Sequence, residues 1–270
     1  MGETSHLTLM TPATGFPDLE AKIAFGLAWI VGQAGDVDEV DYELEPQPAY
    51  YLLHVTGNGR LGDVDTLVEA INAGFREVAS RYLAAESLYY LPGIQSKYRK
   101  NYPSVSKAGG SSTTLKPEFD AARLDQVYSS ALPGVAEQLP RLPGSHNMCG
   151  HDLPAFGGSQ GLVLGVSSHA GKPYKRDAAG NRFNLGLCSI CGSMAVLGTT
   201  WASFRGLAGP RERPSQQATV IVDLIPRVKL CREQLEGLFA AQKDAEGAYL
   251  GPVIPVGLFP LLFLARFPQS

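Results

Sequence analysis

The 270 residues are 44% hydrophobic and 18% charged, which excludes a disordered chain and leaves ample apolar mass for a core. Four cysteines, three of them in the metal-type turns described below, fit a reducing cytoplasm better than a disulfide scaffold. The net charge of −3 is unevenly spread: residues 1–92 hold fourteen acids against four bases, and residues 93–270 hold twelve acids against nineteen bases.

His6 to Met10 reads as an apolar strand, broken by the run Thr11-Pro12-Ala13-Thr14-Gly15-Phe16-Pro17. Asp18 then opens a helix, because Leu19, Ile23, Phe25, Ala28, Trp29 and Ile30 recur near the 3.6-residue period and bury one face. An acidic loop, Asp36 to Glu45, leads to a buried strand over Ala49 to Val55. After a turn at Gly57-Asn58-Gly59, a long helix spans about Val64 to Ala85, with Leu67, Ile71, Phe75, Val78 and Leu83 on its core side. The first third is therefore an acidic β-α-β-α part, and the fold class is α+β.

From Ile94 to Lys116 the chain changes character. Lys97, Arg99, Lys100, Lys107 and Lys116 occur without an acid, and Asn101, Tyr98 and Tyr102 interleave with them before a Gly109 to Thr114 loop. Cations neutralise phosphates, aromatic rings stack on bases, and glycines allow close backbone approach. This is the leading nucleic-acid candidate; a surface loop that is basic by chance is the competing reading. A short helix over Pro117 to Leu132 and a proline-rich connector over Pro133 to Pro143 follow.

His146-Asn147-Met148-Cys149-Gly150 and Cys188-Ser189-Ile190-Cys191-Gly192 share one shape: a ligand, two spacers, a ligand and a glycine. Two such turns supply His146, Cys149, Cys188 and Cys191, a Cys₃His set that closes a tetrahedral zinc site of the structural type. His151 is a spare candidate for the fourth ligand. The same residues also read as buried thiols, or as a redox pair in Cys188 and Cys191. Between the turns Gly161 to Val166 reads as a strand. Lys172, Lys175, Arg176, Asn181 and Arg182 then form a basic hairpin mounted on a zinc ribbon.

An apolar helix through Trp201 and Phe204, a buried strand from Ala218 to Ile225 and a further helix introduced by Arg227, Lys229 and Arg232 complete the pattern. Cys231 is expected to be a buried core cysteine on that helix. The apolar stretch Pro252 to Phe267 is short for a membrane span and carries Pro252, Pro255 and Pro260. It is read as a buried helix or a subunit-docking surface, with no membrane partner. No signal peptide is expected. The divisions are 1–92, an acidic α+β part; 93–145, basic loop, helix and connector; 146–192, a zinc ribbon with a basic hairpin; and 193–270, an α/β part with an apolar tail.

Catalytic patterns fail on context. Gly157-Gly158-Ser159-Gln160-Gly161 has the spacing of a hydrolase elbow, but a loop precedes it and the expected strand follows it. The zinc-deaminase pattern fails twice, at His151-Asp152-Leu153 and at Leu187-Cys188. No catalytic residue is assigned.

The run Thr11-Pro12-Ala13-Thr14-Gly15-Phe16-Pro17-Asp18-Leu19-Glu20-Ala21-Lys22-Ile23-Ala24, the paired zinc turns and the late strand leading to Pro226-Arg227 resemble the large subunit of type I CRISPR effector complexes, the type I-A form in particular. The resemblance implies a non-enzymatic protein. Such a subunit contacts the 5′ handle of a guide RNA, inspects the short motif beside a double-stranded DNA target, meets backbone and small subunits and helps recruit a nuclease-helicase. It implies no particular DNA-reading residues. The runner-up is a zinc-stabilised hydrolase or transferase acting on a small molecule.

Overall fold

The computed structural model describes residues 3–82, 123–129, 149–151, 187–208 and 218–245. Its first strand, β1 (Thr4–Met10), leads into helix α1 (Pro17–Gly32). Pro17 sits where a missing N–H costs nothing, and Phe16 before it offers no side-chain cap. Glu20 instead braces the turn before the helix by reaching back: its Oε1 accepts the N–H groups of Thr14 at 2.7 Å and Gly15 at 2.8 Å, and the Thr14 hydroxyl at 3.1 Å. Gly15 makes the turn possible with φ 80°.

The acidic stretch expected as a loop contains a strand, β2 (Val40–Pro46). Val40, Tyr42 and Leu44 point inward while Asp41 is exposed and Glu43 and Glu45 are half-buried. The two-residue period was therefore present, and the charges on its outer face concealed it. A short turn, closed by Gln47 N–H donating to Tyr50 O at 2.8 Å, leads to β3 (Tyr51–Asn58). Helix α2 (Val64–Tyr82) follows. β3 lies between β1 and β2 and runs antiparallel to both, so the β1-α1-β2 crossover is a split β-α-β unit. The order is thus β-α-β-β-α rather than β-α-β-α.

Three later helices and three strands follow in the described residues. Helix α3 (Leu124–Ser129) lies within the expected 117–132 span, and α4 (Ser189–Ala202) opens at the second cysteine pair. Strands β4 (Ser203–Ala208) and β5 (Ala218–Asp223) pair antiparallel as a separate two-stranded sheet, so Phe204 lies in a strand and not in the helix before it. The two-residue strand β6 (Leu230–Cys231) adds to the outer edge of β2, and α5 (Arg232–Ala245) ends the described part.

Cys231 is exposed on β6, not buried on a helix. The neighbouring Arg232 is the inward residue. Its guanidinium donates to the carbonyls of Val40 and Asp36, pairs with Glu236 and lies 5.4 Å from the Tyr42 ring centroid. α5 is thereby tied to the start of β2, and Phe239 reaches Phe25 edge-on at 6.2 Å.

α1 was expected to bury one face. It is buried almost all round, because the sheet covers one side and α4 the other. The two helices touch through backbone: a Cβ on Gly198 would collide with the Lys22 carbonyl oxygen, and one on Gly26 with that of Met194. A continuous core runs from Leu9, Leu44 and Leu53 of the sheet through α1 to Leu187, Cys188, Cys191 and Met194. It carries the metal-type residues into the interior.

Candidate metal centre

The local chain explains how the donors meet. Cys188 occupies the N-cap position of α4 and Cys191 lies three residues on, in the first helical turn. Cys188 Sγ accepts the Cys191 N–H at 3.3 Å, which is the bond an N-cap oxygen makes. The C-x-x-C pair is therefore the start of a helix, not a ribbon turn, and Gly192 continues that helix, with its N–H on Cys188 O at 2.8 Å. The positive end of the α4 dipole faces the sulfurs and favours negative charge on them.

The other two donors come from Cys149-Gly150-His151. Gly150 has φ 71°, a conformation open to glycine, and with it a single spacer aims both neighbours at the same point. Cys188 N–H donates to Cys149 Sγ at 3.3 Å. His151 Nδ1 lies 3.6 Å from Cys188 Sγ and 3.3 Å from Cys191 Sγ. The ligand atoms of Cys149, His151, Cys188 and Cys191 all lie within 4.8 Å of one another, and the four residues could hold a metal ion. The three cysteines are buried and free of disulfides.

Electrostatics shows what the cluster lacks on its own. Burial pushes the Cys188 and Cys191 thiols well above their ordinary range, and the neighbouring Cys149 sulfur adds to the effect. At Cys149 burial acts in the same direction, but interactions with Cys188, Cys191 and His151 outweigh it and hold that thiol well below the ordinary range. One negative sulfur is thus supported by its neighbours, and two more are opposed by it. A cation at the centre removes that opposition.

Of the expected ligands, Cys149, Cys188 and Cys191 come together, with His151 as the fourth donor; His146 lies outside the described residues. So do Lys97, Arg99, Lys100, Asn101, Tyr102, Lys107, Lys116, Lys172, Lys175, Arg176, Asn181 and Arg182. The same holds for the strand over 161–166, the 157–161 glycine run and the apolar stretch 252–267. Tyr128, fully buried against the cluster with its ring edge-on to His151 at 6.1 Å, had no signal in the sequence.

The outer face of the sheet is polar. Thr8 Oγ1 lies 3.2 Å from His54 Nδ1, His54 Nε2 lies 3.1 Å from Glu45 Oε2, and Lys229 Nζ lies 2.8 Å from Glu43 Oε1. These are cross-strand and strand-to-loop pairs that balance charge on an exposed surface. Arg60 is paired with Glu39 at 3.0 Å and Arg123 with Glu69 at 2.8 Å. The bases named here are matched by acids, while Asp38, Asp41 and Asp65 are exposed, so this half presents an acidic surface. No helix among the described residues is long and apolar enough to cross a membrane.

Compared with protein-family models, curated proteins and solved structures, the chain matches none. The functional reading therefore rests on the site and on the sequence.

Proposed function

We propose that Cys149, His151, Cys188 and Cys191 hold a structural zinc ion, and that the chain is a non-catalytic, nucleic-acid-binding subunit of a type I CRISPR effector complex. The observation that carries the reading is the closed donor set: three sulfurs and one imidazole nitrogen within 4.8 Å of one another. Zn–S and Zn–N bonds of about 2.3 and 2.05 Å imply tetrahedral S···N edges of about 3.6 Å. The S···N distances of 3.3 and 3.6 Å fit that figure. Four protein donors leave no position for water or substrate, which is the arrangement of a structural site and not of a zinc hydrolase. Free buried thiols suit a reducing cytoplasm.

The nucleic-acid half of the proposal is supported by charge and by the resemblance in sequence. The acidic surface of the first third faces protein subunits. Lys97, Arg99, Lys100 and Lys107 contact phosphates of guide RNA and target DNA, and Lys175, Arg176, Asn181 and Arg182 approach the DNA motif beside the target. A nuclease-helicase then joins the assembled complex.

The test is binding to duplex DNA with a frayed end at two salt concentrations, for the zinc-loaded protein alone and assembled with its guide RNA. Log affinity is expected to fall with log salt, and Lys97→Ala or Arg99→Ala to reduce the slope by about one unit each. Asn181→Ala is expected to relax the preference between motifs by about 1–3 kcal/mol at an unchanged slope. Absent or salt-independent binding in both forms contradicts the proposal.

A further inference from the structure

The four donors of the metal centre are not held alike. Cys149 is 1% exposed and Cys188 and Cys191 are 0% exposed, whereas His151 is half-buried and Gly150 before it is exposed. The sulfurs are also joined to one another through the main chain. Cys149 Sγ accepts the Cys188 N–H and Cys188 Sγ accepts the Cys191 N–H, both at 3.3 Å. The Gly192 N–H closes the first turn of α4 on Cys188 O at 2.8 Å. α4 is in turn pressed against the backbone of α1 at Gly26 and Gly198. Withdrawing a sulfur therefore means breaking into the packed start of a helix.

His151 is attached differently. Its Nδ1 lies 3.3 Å from Cys191 Sγ and 3.6 Å from Cys188 Sγ, and a single residue, Gly150 with φ 71°, joins it to Cys149. Rotation at a glycine moves His151 with no Cβ to obstruct it and without disturbing α4. Charge favours the same donor. A thiolate leaving a zinc ion separates opposite charges in a buried place, where their attraction is least screened. A neutral imidazole leaving separates none. What remains is an ion on three sulfurs with one open position, more weakly held than in the closed set, which a water or an entering donor fills.

We infer that His151 is the exchangeable donor of the centre: it swings aside on Gly150 to admit or release the ion, while the three sulfurs stay in place at the start of α4. The inference rests on the metal reading of the cluster. It also names the class of ligand that can stand in for His151, a small neutral nitrogen donor, because this residue lies at the exposed side of the site.

Replacing each kind of donor by glycine and supplying the lost group from solution tells them apart. His151→Gly is expected to purify without metal, and to regain about one zinc per chain and cooperative unfolding when zinc and free imidazole are added. Cys191→Gly is expected to regain neither with zinc and ethanethiol, because its place is closed within the core. His151→Cys supplies a fourth anionic sulfur from nearly the same point, Nδ1 being the ring nitrogen nearer the backbone. It is expected to keep about one zinc per chain and to pass it to a chromophoric chelator about 10-fold or more slowly than the wild type does. No rescue of His151→Gly by imidazole overturns the inference, and so does equal rescue of Cys191→Gly by the thiol. Zinc transfer from His151→Cys at the wild-type rate overturns it as well. Wild-type protein that takes up no zinc overturns the metal reading and the inference with it, whereas any of the other three results beside a zinc-loaded wild type overturns the inference alone.

Discussion

Glu20 is 4% exposed and, from inside α1, holds the turn that leads into the helix. Burial holds its carboxyl above the ordinary 4.5, although donors from Gly15, Thr14 and Phe16 pull the other way. The folded state therefore keeps the proton to higher pH than the unfolded chain does. The stability this contributes is full below about pH 4.5 and is lost as pH rises through the folded value. Glu20→Gln keeps an acceptor and removes the titration. In urea unfolding from about pH 4 to 7, the wild type is expected to lose stability relative to Glu20→Gln as pH rises. Parallel pH curves for the two proteins contradict this account. Single residues varied in how far the sequence revealed them. Cys188 and Cys191 were legible because two spacers bring their sulfurs together locally. The approach of His151 was not, since it depends on the positive φ of Gly150. Cys231 misled because cysteine is usually buried, and a two-residue edge strand has no periodicity to warn otherwise.

At the scale of elements, the contact between α1 and α4 decides the shape of the core. Gly26 and Gly198 sit where each helix presses on the other's backbone, and a Cβ at either meets a carbonyl oxygen rather than a movable side-chain tip. Gly198→Ala is expected to cost about 1–3 kcal/mol in denaturant unfolding of the metal-loaded protein. Gly237 on α5 is the contrast, because a Cβ there has nothing within 4 Å. Gly237→Ala is expected to be neutral or stabilising by up to about 1 kcal/mol. Equal effects of the two substitutions would show that the α1–α4 contact is misplaced. Helices α1 and α2 were readable from the spacing of Ile23, Phe25, Ile71 and Phe75. The burial of α1 on its far side was not, because it depends on α4, a helix that begins more than 150 residues later. β2 was hidden by Asp41, Glu43 and Glu45, which read as loop by composition but occupy one face of a strand.

Among the described residues, one core joins the four-stranded sheet, α1, α2, α3, α4 and α5, and it includes the three cysteines of the Cys/His cluster. The cluster gathers residues 149–151 and the start of α4 against α3, so a bound ion would hold together parts of the chain that are far apart in sequence. Structural zinc contributes about 10–16 kcal/mol in small zinc-dependent peptides. Domains as a class are stable by only about 5–15 kcal/mol. Loss of the ion is therefore expected to unfold the protein rather than weaken one function. The most direct measurement is metal content by elemental analysis, taken beside thermal unfolding, for the wild type and five variants. The account predicts about one zinc per chain in the wild type, loss of both metal and cooperative unfolding in Cys188→Ser, Cys191→Ser and His151→Ala, and retention of both in Cys231→Ser and His146→Ala. A purified wild-type protein without metal, whose Cys188→Ser and Cys191→Ser variants melt as it does, would contradict it.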